Sequence, residues 1–362
     1  MTCITRREFL RRLTATGLTT SGVLLLAACQ QPATAIPTRI PEATAAPTIQ
    51  PTAAPIMTAT STAAVTRQPA ATALPQATQT AVVTVTPQTA SYPDLVVVRG
   101  GKQPEELVNR ALAALGGIER FVKPGNDVII KPNICVAYHT YEYAATTNPW
   151  VVGALVRLCK SAGAARVRVM DSPFGGTPAQ AYAISGIQDQ VNAAGGAMEQ
   201  MTARKFKKTD IPQGKDIKSW PIYEDILKAD VIINVPIAKN HSLARLTLGM
   251  KNLMGAIQNR ESIHVHMGQR LADLASRIKP ALTVVDAVRI LVANGPTGGN
   301  LADVKELDTL IASPDIVAAD AFAASLFNMK PDQLDYIVAG VASGIGRSDL
   351  ANLKIEQIAV GG

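Results

Sequence analysis

Short apolar runs alternate with amphipathic segments from about residue 94 to the end of this 362-residue chain. Continuous runs of β-branched and aliphatic residues favour strands, whereas apolar positions spaced three and four apart favour helices. The predicted strands are 95–99, 127–131, 166–170, 231–235, 282–285, 307–312 and 354–360. The predicted helices are 104–115, 149–162, 187–194, 246–257, 267–278 and 316–327.

Strands that alternate with helices predict an α/β fold, in which a largely parallel sheet is flanked by helices to give three layers. Parallel strands are buried on both faces and therefore consist of continuous apolar residues. Val128-Ile129-Ile130 and Val231-Ile232-Ile233 are runs of this kind. We therefore predict a globular α/β domain over residues 91–362.

Polar residues stand where four of the predicted strands end. They are Lys131, Asn133, Asp171, Lys239, His241 and Asp286. Open parallel sheets bind ligands at the carboxyl ends of their strands, so these side chains are predicted to share a pocket. A lysine beside a buried strand is costly unless it meets an anion or a carboxylate, which makes Lys131 and Lys239 candidate ligand-binding groups. Asp171 could equally belong to a turn.

The predicted helix 246–257 carries Lys251 and Asn252 among apolar residues. These two residues form either a buried structural pair or part of the same pocket, to which Lys251 would add positive charge. Asp315 is predicted to cap the helix that follows it, because an aspartate at this position accepts hydrogen bonds from free amides. Asp320 lies about one turn later and is predicted to point toward the pocket.

His264 and His266 are separated by one residue. On a strand such a pair shares a face and could bind one metal ion, but on a helix it does not. A metal site is the less favoured interpretation, because the pair lies in a connection or at the start of the next helix. A single histidine that acts as an acid, a base or an anion donor beside the lysines is the preferred interpretation.

An export signal is predicted at the N-terminus. Arg6 and Arg7 precede an uncharged stretch that is too short and too polar for a membrane-spanning helix. Small residues then lead to Cys29, as is typical of a lipoprotein cleavage site. Residues 1–28 are therefore predicted to be a signal peptide for the twin-arginine export machinery. Lipid on Cys29 is predicted to hold the protein on the outer face of the cytoplasmic membrane or another envelope membrane.

Residues 29–90 differ in composition from the rest of the chain, being mostly Ala, Thr and Pro after Cys29, without glycine. Such a segment has no periodic apolar face whose burial could offset the entropy of ordering it. We therefore predict a disordered stalk between Cys29 and the globular domain.

Charge gives no case for a nucleic-acid partner. The formal net charge is +7, but residues 1–90 hold six basic and two acidic residues, and the remaining 29 basic and 26 acidic residues give only +3. Nucleic-acid binding would call for clustered basic residues. Cys135 and Cys159 are interpreted as small buried hydrophobes, and two thiolates are too few for an iron–sulfur cluster. The sequence thus identifies no particular cofactor.

Several motifs together resemble the domain-of-unknown-function family 362, and the resemblance covers residues 128–362. In chain order they are Ile129-Ile130-Lys131-Pro132-Asn133, Ala229-Asp230-Val231-Ile232-Ile233-Asn234-Val235-Pro236, Lys239-Asn240-His241, Gly249-Met250-Lys251-Asn252-Leu253-Met254-Gly255, Asp286 and Asp315-Ile316-Val317-Ala318-Ala319-Asp320-Ala321. The resemblance implies a related fold and leaves the chemistry open. Some members carry a ferredoxin-like segment with cysteine clusters, which implies redox chemistry, and this sequence shows no such clusters.

Two classes of function agree with these observations. The first is an enzyme that acts on a small anionic metabolite. In it the positive charge comes from Lys131, Lys239 and Lys251, orientation from Asn133 and Asn252, and proton transfer from His241 with Asp286 or Asp320. The second is a tethered ligand-binding lipoprotein that uses the same pocket without chemistry. Only the enzyme requires a group in the pocket with a tuned pKa.

Overall fold

The structure is a computed structural model that describes residues 91–361. The predicted signal peptide, the lipid site at Cys29 and the predicted stalk lie outside the described residues. Within residues 91–361 no helix is both long enough and apolar enough to span a membrane.

Strands and helices alternate along most of the described chain. The strands are β1 Leu95–Gly100, β2 Asp127–Pro132, β3 Arg166–Val169, β4 Ala197–Met198, β5 Phe206–Asp210, β6 Ser219–Tyr223, β7 Val231–Val235, β8 Ile237–His241, β9 Arg245–Thr247, β10 Leu282–Leu291, β11 Val304–Ser313 and β12 Ile355–Val360. The helices are α1 Pro104–Ala114, α2 Pro149–Ser161, α3 Pro178–Ile184, α4 Ile187–Ala193, α5 Glu224–Lys228, α6 Gly249–Asn252, α7 Arg260–Ile263, α8 Met267–Ile278, α9 Ile316–Ser325 and α10 Asp335–Ala342.

A large mixed sheet organises the fold. In the described part of the chain it has ten strands, eight of them in the order β12-β1-β11-β10-β7-β2-β3-β4, while β8 pairs with β10 and β9. The strands from β10 through β7, β2 and β3 to β4 are parallel to their neighbours. β11 is antiparallel to both β1 and β10. The predicted α/β fold with a largely parallel sheet is therefore confirmed.

Two apolar cores lie on the two faces of this sheet. In β1, Leu95 and Val97 belong to one core and Val96 and Val98 to the other, because successive side chains of a strand point to opposite faces. Helices α1 and α2 cover one face, and α8, α9 and α10 cover the other. Burying one such side chain stabilises the fold by about 1.5–3 kcal/mol, so the apolar contacts on both faces stabilise the packing of the helices against the sheet.

Polar caps fix the starts of two helices beside the sheet. The Asn148 side chain accepts a hydrogen bond from the backbone amide of Trp150 at the start of α2. The Asp315 side chain accepts hydrogen bonds from the amides of Val317 and Ala318, which confirms its predicted role as the cap of α9.

The predicted helix 246–257 is confirmed only for its central part, because residues 249–256 are helical and the first residues form a strand. The segment forms β9, the short helix α6 and a 3-10 turn over Leu253–Ala256. A Cβ atom on Gly249 would approach Oδ1 of Asp320 to 2.6 Å, and one on Gly255 would overlap the Asp171 carboxylate. The two glycines therefore allow the backbone of this segment to pass directly against buried carboxylates.

Strand β8 is missing from the sequence prediction. It follows Pro236 at once and carries Lys239, Asn240 and His241 in its five residues, so it lacks the apolar run that marks the other central strands. It nevertheless pairs in parallel with β10 and is mostly buried. The polar side chains of β8 are thereby brought to the same end of the sheet as the residues that follow β2 and β3.

Candidate functional site

A cavity of about 960 Å³ opens at the carboxyl ends of β2 and β3, beside β8. Its wall consists of the segments that follow β2 and β3, the polar end of β8, and the chain from α6 to the 3-10 turn after α7. The wall contains seven of the polar residues discussed above, namely Asn133, Asp171, Lys239, His241, Lys251, Asn252 and His264.

Lys131 lies directly behind this wall in an ion pair with Asp171. Its Nζ atom is 2.8 Å from Oδ1 of Asp171, and both side chains are buried. The other carboxylate oxygen of Asp171 accepts a hydrogen bond of 2.7 Å from the backbone amide of Ile134. Asp171 therefore joins the ends of β2 and β3 and is more than a turn residue. The positive charge of Lys131 is largely neutralised by this contact.

Asparagine side chains connect the pocket residues to one another. Asn133 donates to Oδ1 of Asn252 at 3.0 Å, and Asn252 donates to Oδ1 of Asn234 at 2.9 Å. Lys239 donates to Oδ1 of Asn133 at 3.0 Å and to the carbonyl oxygens of Ala145 and Pro296 at 2.6 and 2.9 Å. The buried Lys239 ammonium thus meets three neutral acceptors and, among the described residues, no carboxylate.

Lys251 is a buried cation that faces the cavity. Its side chain is only 8% exposed, and it has no hydrogen-bond or ion-pair partner among the described residues. Burial, together with the nearby positive charges of Lys239 and Arg260, lowers the pKa of Lys251 to about 8. An anion bound in the cavity would therefore supply the negative partner that the protonated Lys251 side chain lacks.

Arg260 supplies another cation to the same wall. Its Nε atom donates to the carbonyl oxygen of Ile257 at 3.3 Å, and the side chain forms no ion pair within the described part of the chain. Burial lowers the pKa of Arg260, although the charge of Asp171 opposes this change. A planar guanidinium at this place can bind a carboxylate, sulfate or phosphate group through two hydrogen bonds.

The charges at this site do not balance. Four cationic side chains stand in or directly behind the wall, namely Lys131, Lys239, Lys251 and Arg260. The carboxylates that line the cavity are Asp171, which pairs with Lys131, and Glu261, which is exposed at the edge. The cavity therefore has an excess of positive charge and favours anions.

His241 is held as a neutral hydrogen-bond donor. Its Nδ1 atom accepts hydrogen bonds of 3.1 and 3.2 Å from the backbone amides of Leu243 and Ala244. The proton of the neutral ring therefore resides on Nε2. Burial lowers the pKa of His241 to about 3, and the charges of Lys251 and Lys239 act in the same direction. The ring thus supplies an N–H group to the cavity across the neutral pH range.

The two histidines of the 264–266 segment face different surroundings. His264 lines the cavity, and its ring centre lies 6.3 Å from that of His241. His266 is largely exposed and stands 3.3 Å from the Asp216 carboxylate. The segment is a 3-10 helix, so the pair does not converge on one point. Within residues 91–361 no group of three or more His, Cys, Asp or Glu side chains is placed to hold a metal ion.

Asp286 and Asp320, which we expect from the sequence in the pocket, lie outside its wall. Asp286 accepts hydrogen bonds from the backbone amides of Asn148 and Val288 at 2.6 and 3.0 Å. Burial raises the pKa of Asp286 to about 6 and that of Asp320 to about 7. Asp320 accepts from the amides of Gly249 and Met250 at 2.5 and 2.9 Å, at the start of α6. Both carboxylates hold backbone segments in place.

The wall residues that the sequence does not predict as part of a site include Arg260 and Cys135. Arg260 follows Asn259, whose φ of 56° turns the chain sharply before α7, and no local pattern distinguishes it from other arginines. Cys135 is interpreted as a buried hydrophobe, yet it lines the cavity and its Sγ atom lies 3.5 Å from the carbonyl oxygen of Pro296. The position of Cys135 two residues after Asn133 is the only signal that could have indicated this.

The fold and the site define an α/β protein with a cationic pocket at the carboxyl ends of its parallel strands. Residues 128–325 match the family described as "Domain of unknown function (DUF362)". Because this match spans more than half of the chain, the protein belongs to that family.

Similar proteins include one curated relative and one solved structure. The Thylakoid-associated protein sll1697 from a Synechocystis sp. strain is 28% identical over 243 residues, which make up 65% of this chain and 73% of that protein. The solved structure of the lactate racemase apoprotein from Thermoanaerobacterium thermosaccharolyticum superimposes with a TM-score of 0.36 and 12% identity. That superposition covers 59% of this chain and 53% of the racemase, and nothing about activity follows from it.

Proposed function

We propose that the cavity binds a small anion through Lys251 and Arg260. The observation that carries this proposal is the buried Lys251 ammonium, which lacks a partner among the described residues and faces open space. An unpaired buried charge is expensive, so the fold gains from an anion that completes the ion pair. The Nε2–H group of His241 adds a neutral donor on the same wall.

The proposal extends to an enzyme that acts on a small anionic metabolite. A lysine whose pKa is about 8 exists in both protonation states near neutral pH, which is what a general acid or base requires. The neutral His241 ring is suited to stabilise negative charge that develops on a bound substrate. Asp320 holds the start of α6, so in this proposal it positions Lys251 and takes no proton from the substrate. A ligand-binding protein without catalytic activity would need the cations, but it would not need a lysine with a lowered pKa.

Anomalous diffraction from selenate tests where the anion binds. Selenate resembles sulfate, and crystals of the protein soaked in it are expected to show a selenium peak within hydrogen-bond distance of Lys251 Nζ and the Arg260 guanidinium. The peak should disappear from crystals of the Lys251→Met variant. Selenium peaks confined to the protein surface in the wild type would contradict the proposed site.

We also propose that the chain is exported by the twin-arginine machinery and anchored by lipid on Cys29. The support is the order of features in residues 1–29, together with the name of the Synechocystis relative, which describes that protein as thylakoid-associated. The Cys29→Ser variant is expected to move from the membrane fraction to the soluble fraction of disrupted cells. Cys3→Ser serves as the matched control and should stay with the membranes. Retention of the Cys29→Ser protein in the membrane fraction would exclude a lipid anchor at this residue.

A further inference from the structure

Exposed apolar side chains cluster around the mouth of the cavity. Among the described residues, the four most exposed large hydrophobic side chains are Phe174 at 72%, Val265 at 68%, Leu243 at 63% and Tyr138 at 59%. Scattered apolar residues on a surface need no explanation, but a contiguous group marks a place that binds an apolar partner.

Two of these four side chains belong to the cavity wall, and the other two lie next to the chain segments that form it. Phe174 and Leu243 line the cavity itself. Tyr138 lies beside Gly175, where a Cβ atom would be 3.4 Å from the Tyr138 ring, and Val265 follows His264 of the cavity wall. Phe174 and Leu243 therefore connect the exposed apolar surface with the cavity that holds Lys251 and Arg260.

The interior of the cavity is also partly apolar and is larger than a small anion needs. Its apolar wall is formed by Phe174, Met201, Phe206, Leu243, Met254 and Ile257. A volume of about 960 Å³ is near the upper end of the range for pockets that hold drug-sized ligands. Methionine side chains are flexible and adapt to ligands of different shape.

We propose that the natural ligand is an amphiphilic anion, with a charged head and an apolar chain of several carbon atoms. The head lies at Lys251 and Arg260, and the chain runs outward over Phe174 and Leu243. This inference rests on the proposed anion site and adds the class of ligand. It accounts for exposed hydrophobic side chains that binding of a compact anion would leave in water.

A series of alkyl sulfates tests the inference, because the head keeps one negative charge while the chain grows. Methyl, butyl and hexyl sulfate are titrated into the full chain with Cys29→Ser by calorimetry, below the concentrations at which they form micelles. Affinity is expected to rise about twofold to fourfold for each added methylene group that is buried. Equal affinities for methyl and hexyl sulfate would overturn the inference and leave the anion site intact. Failure of every member of the series to bind would overturn the anion site as well.

Substitutions of Phe174 and Leu243 at the cavity mouth test whether these residues cause the dependence of affinity on alkyl chain length. The double variant Phe174→Ser with Leu243→Ser is expected to bring the ratio of hexyl to methyl sulfate affinity close to one. Leu243→Ser alone, at an exposed position, should cause part of the same loss, and circular dichroism checks that both proteins are folded. Val338→Ser, which changes an exposed apolar residue of α10 outside the cavity wall, should keep the wild-type ratio. A ratio that is the same in the double variant and the wild type would overturn the inference.

A membrane or a second copy of the chain could instead bind the exposed apolar residues at the cavity mouth, and each would give a different experimental result. Docking on a membrane predicts that the Cys29→Ser chain sediments with neutral phosphatidylcholine vesicles in a way that depends on Phe174 and Leu243. Association of two copies predicts a dimer in sedimentation equilibrium that the double variant abolishes. If either result is obtained and affinity does not depend on alkyl chain length, the exposed apolar residues bind that partner and the proposed amphiphilic ligand is excluded.

Discussion

Replacement of Lys251 by methionine is expected to weaken sulfate binding about tenfold to hundredfold while the protein becomes no less stable. Methionine has a similar length and no charge, so the variant removes the ion pair with the ligand. A hydrogen bond to a charged group contributes about 1.5–3 kcal/mol, which corresponds to that loss of affinity. The cost of burying the unpaired ammonium disappears at the same time. Calorimetric titration and thermal unfolding measure the two effects.

Two control variants separate charge from shape at this position. Lys251→Arg keeps a cation and should retain much of the affinity for sulfate. Lys160→Met removes an exposed lysine at the end of α2 and should change neither binding nor stability. If Lys251→Met loses stability and keeps its affinity, Lys251 is a structural residue and the proposed anion site is wrong.

Replacement of Asp171 by asparagine is expected to destabilise the protein by about 3–5 kcal/mol. The substitution leaves the Lys131 ammonium buried without its carboxylate partner, and removal of one member of a buried ion pair typically costs this much. Asparagine can still accept a hydrogen bond from the amide of Ile134, so the loss reports mainly on the charge. For a domain of this size the melting temperature should fall on the order of 10 °C, as measured by calorimetry.

The partner substitution provides the control for this effect. The double variant Lys131→Met with Asp171→Asn has no lone charge and should recover a large part of the lost stability. Gly255→Ala should also reduce stability, because its Cβ atom would overlap Asp171 and lie 2.6 Å from Lys131 Nζ. If Asp171→Asn is as stable as the wild type, the ion pair does not hold the ends of β2 and β3 together.

The positions of several pocket residues can be predicted because the sequence shows where the apolar strands end. Lys131, Asn133 and Asp171 each come at or just after an apolar run, and parallel strands bring such residues to one edge of the sheet. The structure places them within hydrogen-bond reach of one another or of shared partners. Lys239 is found for the same reason, although the strand that carries it, β8, begins only after Pro236.

Other parts of the site cannot be obtained this way because they depend on contacts between distant segments. Asp286 and Asp320 have the residue type of catalytic groups, but backbone amides occupy their oxygen atoms, those of Asn148 and Val288 at Asp286 and those of the first residues of α6 at Asp320. No local sequence pattern predicts that these backbone amides contact the two carboxylates. Arg260 reaches the pocket only because the chain turns sharply at Asn259. The need for glycine at position 255 likewise depends on Asp171, which lies more than eighty residues away in the sequence.

Titration of sulfate binding against pH tests the central claim most directly, since sulfate keeps its charge between pH 7.5 and 10. The pKa of Lys251 is about 8, and those of Asp286 and Asp320, at about 6 and about 7, lie below this range. Lys251 is charged below its pKa and neutral above it, so the affinity of the wild type should fall as the pH rises through 8. Bound sulfate stabilises the ammonium and moves the midpoint somewhat higher. The Lys251→Met variant should bind weakly and without this transition, whereas the same pH profile in both proteins would contradict an anion site built on Lys251.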